Sequence, residues 1–187
     1  MTAAVKGNIL LARLAFLRGR GGQPLVDRVV SRLPAGDQRV LRGALLATSV
    51  YPIELNQRMD GAIAEELSSG DPDRVFLDMG RASADVNLTG SQRGLVRKGD
   101  PHYLLGFTES IYGYYYSAGR RTYQNTGPTS AVLTTVGAED VTATDCLTVI
   151  GWHQRAVELC GGASVQVIHP RCRVRGDDCC EYRIDWQ

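Results

Sequence analysis

The sequence predicts an α+β domain in which helices pack on one face of a small antiparallel sheet. Apolar residues recur at helical spacing through about the first 118 residues, and beyond Gly119 they alternate with polar residues, as in strands with one buried face. The 187 residues contain no internal repeat and no low-complexity linker, and a chain of this length can bury its own core. We therefore predict a single domain, 1–187, with a mainly helical part over 1–118 and a ββαββ part over 119–187.

Six helices are predicted in the mainly helical part, and glycine, proline and capping residues mark their ends. The segment 19–22 (GRGG) separates the first helix from the second. Asp71 is a good N-cap before Pro72, which stands at the first helical position. The segment Ser68–Gly70 ends the fourth helix, and the glycine-rich stretch 88–100 is predicted as a loop or a broken helix. The predicted helices cover approximately residues 9–17, 24–33, 37–46, 52–67, 71–82 and 101–115.

The C-terminal part is predicted to form two β-hairpins joined by a helix. Gly127-Pro128 is the turn of the first hairpin, and the joining helix begins at a cap from Thr142 or Thr144 and ends at Gly161-Gly162. The predicted strands cover residues 121–126, 131–136, 164–174 and 179–186. These strands build one antiparallel sheet from the segments 120–137 and 163–186.

Composition and charge exclude several classes of partner. The net charge is +1 with both signs interspersed, so the sequence has no clustered basic face for nucleic acid. No apolar run approaches the ~20 residues that span a bilayer, and the stretch 9–17 is interrupted by Arg13 and lacks the cleavage site of a signal peptide. The five cysteines are odd in number and none precedes Cys146, which is a poor disulfide framework. We therefore expect a reduced, cytoplasmic protein.

Four residues of the C-terminal part have the chemistry of a metal site. Cys172 and Cys180 lie on opposite arms of the last hairpin, His169 precedes Cys172 by three residues, and Cys146 stands at the start of the joining helix. Thiolate and imidazole are the ligands that tetrahedral Zn²⁺ prefers. Residues three apart in a strand point to opposite faces, so His169 and Cys172 converge only if the strand is bulged, for which Pro170 supplies a reason.

An alternative reading needs no metal. Cys172 and Cys180 fall on the apolar faces of their strands, and buried free cysteine is a common core residue. The sequence also leaves open whether Cys160 or Cys179 replaces one of the four proposed ligands.

Aromatic residues concentrate on the last helix of the mainly helical part. The tyrosines between residues 112 and 116 are compatible with a ligand pocket and also with packing in the core or in a dimer. Trp152 and His153 on the joining helix allow the same two interpretations. No Ser–His–Asp or Cys–His arrangement and no dinucleotide fingerprint has motif support, so a reductase-like enzyme is disfavoured.

The closing hairpin carries a pattern found in known proteins. Cys172, the turn Gly176-Asp177 and Cys179-Cys180 before an alternating strand resemble the 4-vinyl-reductase domain superfamily. That superfamily includes bacteriochlorophyll-pathway vinyl reductase proteins, sensor domains of phenol- and xylene-responsive regulators, and relatives of the TRAPP tethering subunits. The whole chain is also similar to a bacterial family of unassigned function found largely in myxobacteria, through the segments 5–7 (VKG) and 45–52 (LLATSVYP) and the hairpin.

This resemblance implies a structural zinc. In the phenol-sensing members Cys, Glu, Cys and Cys hold the metal, the first before the last helix and the others in the hairpin. Cys146 takes the first of these positions, Cys172 the third and Cys180 the fourth, whereas His169 stands at the Glu position, which departs from the family. Four protein ligands leave no open position, so a zinc here would be structural and would contribute on the order of 10 kcal/mol to folding.

The resemblance also implies a function. Sensor relatives have an apolar pocket between helices and sheet, and here Phe107, Tyr112, Tyr115 and Trp152 are its predicted liners. We therefore expect a small-molecule-binding sensor or regulatory module that takes a small apolar or aromatic ligand and signals to a protein partner. The alternative is a scaffold or assembly subunit like the tethering proteins, with an empty or lipid-filled pocket. The superfamily implies a homodimer in either case.

Overall fold

The α+β class is confirmed in the computed structural model, which describes residues 3–67 and 71–187. The helices are α1 (Gly7–Ser31), α2 (Ala35–Arg42), α3 (Ile53–Leu67), α4 (Pro72–Thr89), α5 (Pro101–Leu105), α6 (Thr108–Tyr115) and α7 (Ala143–Leu159). The strands are β1 (Ala4–Lys6), β2 (Val50–Pro52), β3 (Arg120–Gly127), β4 (Ser130–Val136), β5 (Gln166–Arg171) and β6 (Cys180–Asp185). Short 3₁₀ turns follow α4 and β5, at Arg93–Leu95 and Arg173–Arg175.

Several predicted helix boundaries differ from the structure. The third predicted helix ends at Arg42 and not near residue 46, and the fifth continues to Thr89, beyond residue 82. The predicted first and second helices form one kinked helix, α1, because only Gly21 and Gly22 leave helical dihedrals between them. The predicted sixth helix is instead divided into α5 and α6 at Gly106 and Phe107. The predicted stop at Ser68–Gly70 lies outside the described residues.

Helix α7 begins where its capping residues predict. The Thr142 hydroxyl accepts from the Asp145 amide, and the Asp145 carboxylate accepts from the Thr142 amide, which is a reciprocal capping box. The two bonds satisfy the amides of Thr142 and Asp145. The cap therefore fixes the start of α7 against the sheet.

The strands form two antiparallel sheets. Strands β1 and β2 pair as a small ribbon, and the other four have the spatial order β3-β4-β6-β5. In β6, Cys180, Tyr182 and Ile184 are buried and alternate with more exposed residues, as a strand with one covered face requires. The pairing of β5 with β6 shifts register between Ile168 and Arg171, so β5 is bulged at His169 and Pro170.

The apolar core has two large parts on either side of α4. One lies among α1, α2, α3 and the first half of α4, and the other lies between α7, α5 and the buried face of the four-stranded sheet. A smaller cluster joins β1 to α6 through Val5, Ile9 and Tyr115. Among the described residues, no helix combines the length and the apolar character that crossing a membrane would require.

Helices α4 and α7 meet backbone to backbone. A Cβ atom at Gly80 would overlap the Thr148 carbonyl, and one at Gly151 would overlap the Leu77 carbonyl. Only glycine leaves room for this approach on both helices. The contact therefore fixes the depth at which α7 sits between α4 and the sheet.

We expect Gly151→Ala to destabilise the protein by about 1–3 kcal/mol or more, because the added methyl group forces α4 and α7 apart in a filled core. Gly61→Ala on α3 is the matched control, since nothing lies within 4 Å of its Cβ position. There the same change should stabilise by roughly 0.5–1 kcal/mol through helix propensity. Urea unfolding of the three proteins measures both effects. Equal free energies of unfolding for the two variants would contradict the proposed backbone contact.

Candidate functional site

Two adjoining cavities lie beside α6 and α7, the smaller against the four-stranded sheet and the larger extending to α1 and α4. The larger has a volume of about 80 Å³ and the smaller about 40 Å³. Both are lined mostly by apolar and aromatic groups. Tyr112, Tyr116, Arg121 and Val149 belong to the walls of both cavities. A small movement of these four side chains would join the two spaces.

The tyrosines lie on one face of α6 and at its end. Tyr112, Tyr115 and Tyr116 are spaced i, i+3 and i+4, so a helix brings them together. The rings of Tyr112 and Tyr116 stack with centroids 5.0 Å apart, and the Tyr112 hydroxyl donates to the Ala118 carbonyl at 2.9 Å. Burial raises the pKa of Tyr115 to about 12 and raises the pKa values of Tyr112 and Tyr116 as well. All three hydroxyls therefore stay neutral near pH 7.

Arg121 on β3 is the cationic group that both cavities share. It is only 7% exposed, and its Nε donates to the Thr135 hydroxyl at 2.8 Å. The guanidinium carbon lies 4.8 Å from the Tyr112 ring centroid and 5.5 Å from that of Tyr182, within cation–π range. Among the described residues, no carboxylate forms an ion pair with Arg121, and its two terminal nitrogens make no hydrogen bond.

His153 on α7 contributes a neutral imidazole to the larger cavity. Its Nδ1 lies 2.8 Å from the Val149 carbonyl oxygen and must donate to it, which leaves the Nε2 lone pair free to accept. Burial lowers the pKa of His153 to about 3, and the positive charge of Arg121 acts in the same direction. The imidazole is therefore uncharged at every physiological pH.

A buried ion-pair network forms part of the cavity walls, since Arg13 lines the larger cavity and Asp145 the smaller. Arg13 on α1 donates to both oxygens of Asp60 on α3, at 2.6 and 2.8 Å. Its Nη2 also lies 3.9 Å from Asp145, whose pKa is raised by burial and by the nearby Asp60 charge. The Asn56 amide bridges the two carboxylates at 3.5 Å from each. The network links α1, α3 and the start of α7.

The structure brings the four predicted metal ligands together. One ligand atom from each of Cys146, His169, Cys172 and Cys180 lies within 4.8 Å of all the others. The Cys146 sulfur is 3.8 Å from that of Cys172 and 4.0 Å from that of Cys180. Their binding of a metal ion stays a prediction. Cys160, Cys179 and the other cysteines are all free and buried, but Cys160 and Cys179 lie outside this cluster.

The environment of the cluster shifts the pKa values of two of its thiols in opposite directions. A hydrogen bond from Cys146 lowers the pKa of Cys180, and His169 and the Arg173 amide add to this effect. The hydrogen bond that Cys146 donates to Cys180 raises the pKa of the Cys146 thiol, and burial acts in the same direction. The His169 ring stacks on Tyr182 with centroids 4.3 Å apart, and its Nε2 is buried without a partner among the described residues.

Three of the four predicted pocket residues meet at the larger cavity. Tyr112, Tyr115 and Trp152 line it, whereas Phe107 is 37% exposed and packs against Tyr103. Arg121 was not among the predicted site residues. Its signal was the pair of arginines at the start of a strand with one buried face, because one of two adjacent residues must then point inward.

The fold as a whole is similar to solved structures of H-NOX proteins. An H-NOX protein from S. oneidensis in the Fe(II)NO ligation state matches with a TM-score of 0.73 and 14% identity, over 97% of this chain and 99% of that chain. An unliganded Fe(II) H-NOX protein from K. algicida matches with a TM-score of 0.70 and 11% identity, over 97% and 96%. A structure on modulating haem redox potential through porphyrin distortion matches with a TM-score of 0.70 and 11% identity, over 96% and 99%. No protein-family model and no curated protein matches the sequence.

These matches correct two predictions. The resemblance to the 4-vinyl-reductase superfamily, with its TRAPP-like and myxobacterial relatives, was wrong, since the structures that share this fold are H-NOX domains. The prediction of a structural Zn²⁺ as cofactor was also wrong, because these structures are described by Fe(II) and haem. Both errors came from the closing hairpin, Cys172–Cys180, a short motif that specifies local geometry and leaves the rest of the chain unspecified.

The residues of this chain do not fit a haem. The donor chemistry is present, since His153 offers a free Nε2 and Cys180 lines the smaller cavity. The space is not, because cavities of about 80 and 40 Å³ fall well below the roughly 300–1,000 Å³ of typical ligand pockets, and a porphyrin exceeds a typical drug-sized ligand. The stacked rings of Tyr112 and Tyr116 also stand in the walls of both cavities.

We expect the protein purified from cells supplied with excess haem to show no stoichiometric Soret absorption band. An H-NOX protein handled in parallel is the positive control, and haemin titration into the purified chain extends the test. A band of one haem per chain that disappears in His153→Ala would contradict the volume argument and place the porphyrin in the larger cavity.

We also expect His153 to make the protein less stable in acid. Its pKa is near 6.5 when unfolded and about 3 when folded, so between these values the unfolded state binds more protons and stability falls as pH falls. One such group contributes up to about 1.4 kcal/mol per pH unit. Urea unfolding between pH 7 and pH 4 should therefore show a shallower loss for His153→Gln. Parallel curves for the two proteins would contradict the buried neutral imidazole.

Proposed function

We propose that this chain is a non-enzymatic small-molecule-sensing domain whose ligand occupies the two adjoining cavities. The observation that carries the proposal is the shared wall of Tyr112, Tyr116, Arg121 and Val149, which joins mostly apolar space to the buried Arg121 cation. Ligand sites of proteins have this composition, with few polar groups in an apolar lining.

The fold supports a sensing role. One of the H-NOX structures that share it concerns the molecular mechanism of H-NOX activation, and another records a bound nitric oxide at Fe(II). Because a haem does not fit this chain, the ligand we propose is a smaller organic molecule. An engineered cavity of about 150 Å³ admits benzene, so spaces of about 80 and 40 Å³ with movable walls suit a single ring or a short branched chain.

A ligand in this position contacts elements from every layer of the fold. Tyr112 belongs to α6, Arg121 to β3 and Val149 to α7, and the smaller cavity is closed by residues 3 and 4 at the edge of β1. Occupancy would favour the arrangement of these elements that best surrounds the ligand, in proportion to the difference in affinity. The start of α7 would transmit that change to α1 and α3 through Asp145 and Arg13.

The scaffold alternative has less support. It rested on a resemblance to tethering proteins, whereas the solved structures that match this fold are H-NOX proteins. A homodimer and a protein partner that receives the signal stay predictions.

Toluene is a suitable neutral probe of the cavities. We expect it to raise the midpoint of thermal unfolding of the wild-type protein, because a ligand that binds only the folded state stabilises it by about 2.7 kcal/mol at 100 times its dissociation constant. Val149→Phe fills the shared wall and should abolish the shift. Val86→Phe adds the same atoms at a position that is 58% exposed and should retain it.

The folded state of each variant is verified by circular dichroism before the titration. The absence of any shift or of any ligand-detected NMR signal in the wild type would contradict the proposed function. The proposed function would also be contradicted if Val149→Phe bound toluene as tightly as Val86→Phe does.

A further inference from the structure

We propose that the natural ligand of the cavities is a small apolar monocarboxylate, with its carboxylate bound by the terminal nitrogens of Arg121. The inference rests on the proposed function and names the chemical class of the ligand. It is carried by a cation that is more than nine-tenths buried, lines both cavities and has no carboxylate partner among the described residues.

A buried charge without a counter-ion is costly, and proteins pair such charges or bond all their donors. Arg121 has five N–H donors, and the Thr135 hydroxyl accepts from Nε alone. The Tyr112 and Tyr182 rings offset part of the desolvation through their faces, at 4.8 and 5.5 Å from the guanidinium carbon. The remaining fork of donors is therefore matched to an acceptor that enters the cavity.

The acidic residues near Arg121 bind other groups. Asp60 is held by Arg13 through both carboxylate oxygens. Asp145 accepts from the Thr142 amide and hydroxyl, at 3.1 and 2.7 Å, and its remaining oxygen faces Arg13 and Asn56. Asp140 stands in the wall of the smaller cavity but is exposed to solvent. None of these carboxylates forms an ion pair with Arg121.

The rest of the lining leaves no second cation free for a further anion. Arg13 in the wall of the larger cavity is held by Asp60, and the other charged groups of the lining, Asp140 and Asp145, are carboxylates in the wall of the smaller cavity. The tyrosine hydroxyls are neutral, and the Nε2 of His153 is a hydrogen-bond acceptor that would repel a second anion. A planar carboxylate matches the guanidinium fork with two parallel hydrogen bonds, whereas a phosphate dianion would bury a second charge without a partner. The apolar body would lie along Val149 and the stacked Tyr112 and Tyr116 rings.

Benzoate, benzamide and toluene form a matched series for the test, since they share one ring and differ at a single substituent. We expect calorimetric titration to show benzoate binding about tenfold or more tighter than benzamide, from hydrogen bonds to a charged group. Arg121→Gln should remove this preference and keep toluene binding. Arg121→Lys, which retains the charge without the fork, should keep part of the preference.

Arg120→Gln is the matched control, because the neighbouring arginine stands on the same strand with its side chain exposed. It should leave the preference for benzoate unchanged. Equal affinities for benzoate and benzamide in the wild type, with toluene bound, would overturn the carboxylate assignment and leave the proposed function standing. A preference that survives in Arg121→Gln would also overturn it. If none of the three probes binds, the proposed function fails together with this inference.

Discussion

The close approach of α4 and α7 at Gly80 and Gly151 determines where the functional side chains of α7 lie. With no Cβ between them, the two backbones pack in direct contact, and α7 is held at one depth and one rotation above the sheet. Val149 and His153 then face α6 and β3, and Asp145 faces the Arg13 pair. A side chain at either glycine would move all three groups at once, because a helix transmits a displacement along its length.

The cavities follow from the chemistry of the residues that this packing brings together. Arg13 and Asp60 satisfy one another, and the capping box uses most of Asp145, so the buried charges behind α6 are largely compensated. Arg121 stands on the sheet side, supported by the Thr135 hydroxyl and two aromatic faces. The space between them is bounded by the stacked rings of Tyr112 and Tyr116. A small volume beside a partly bonded cation is the result.

Local signals predicted much of the fold, and long-range packing accounts for what they missed. The capping pattern of Thr142 and Asp145 indicates the start of α7. The alternation in β6 indicates which of its residues face the core. The kink in α1 shows the limit, because Gly21 and Gly22 allow either a complete break or a bend, and tertiary contacts select the bend. Likewise, alternation requires one of Arg120 and Arg121 to point inward but does not say which, since that depends on the strand's partner. The hairpin motif misled the family assignment because a short cysteine pattern constrains a turn and two strands only.

The ring of Tyr182 lies between the thiol cluster and the smaller cavity. One face lies against His169 of the thiol cluster, the Arg121 guanidinium lies within 5.5 Å of the ring, and the residue lines the smaller cavity. A displacement of the His169 imidazole would therefore also change a wall of the smaller cavity, because one ring stacks on His169 and borders that cavity.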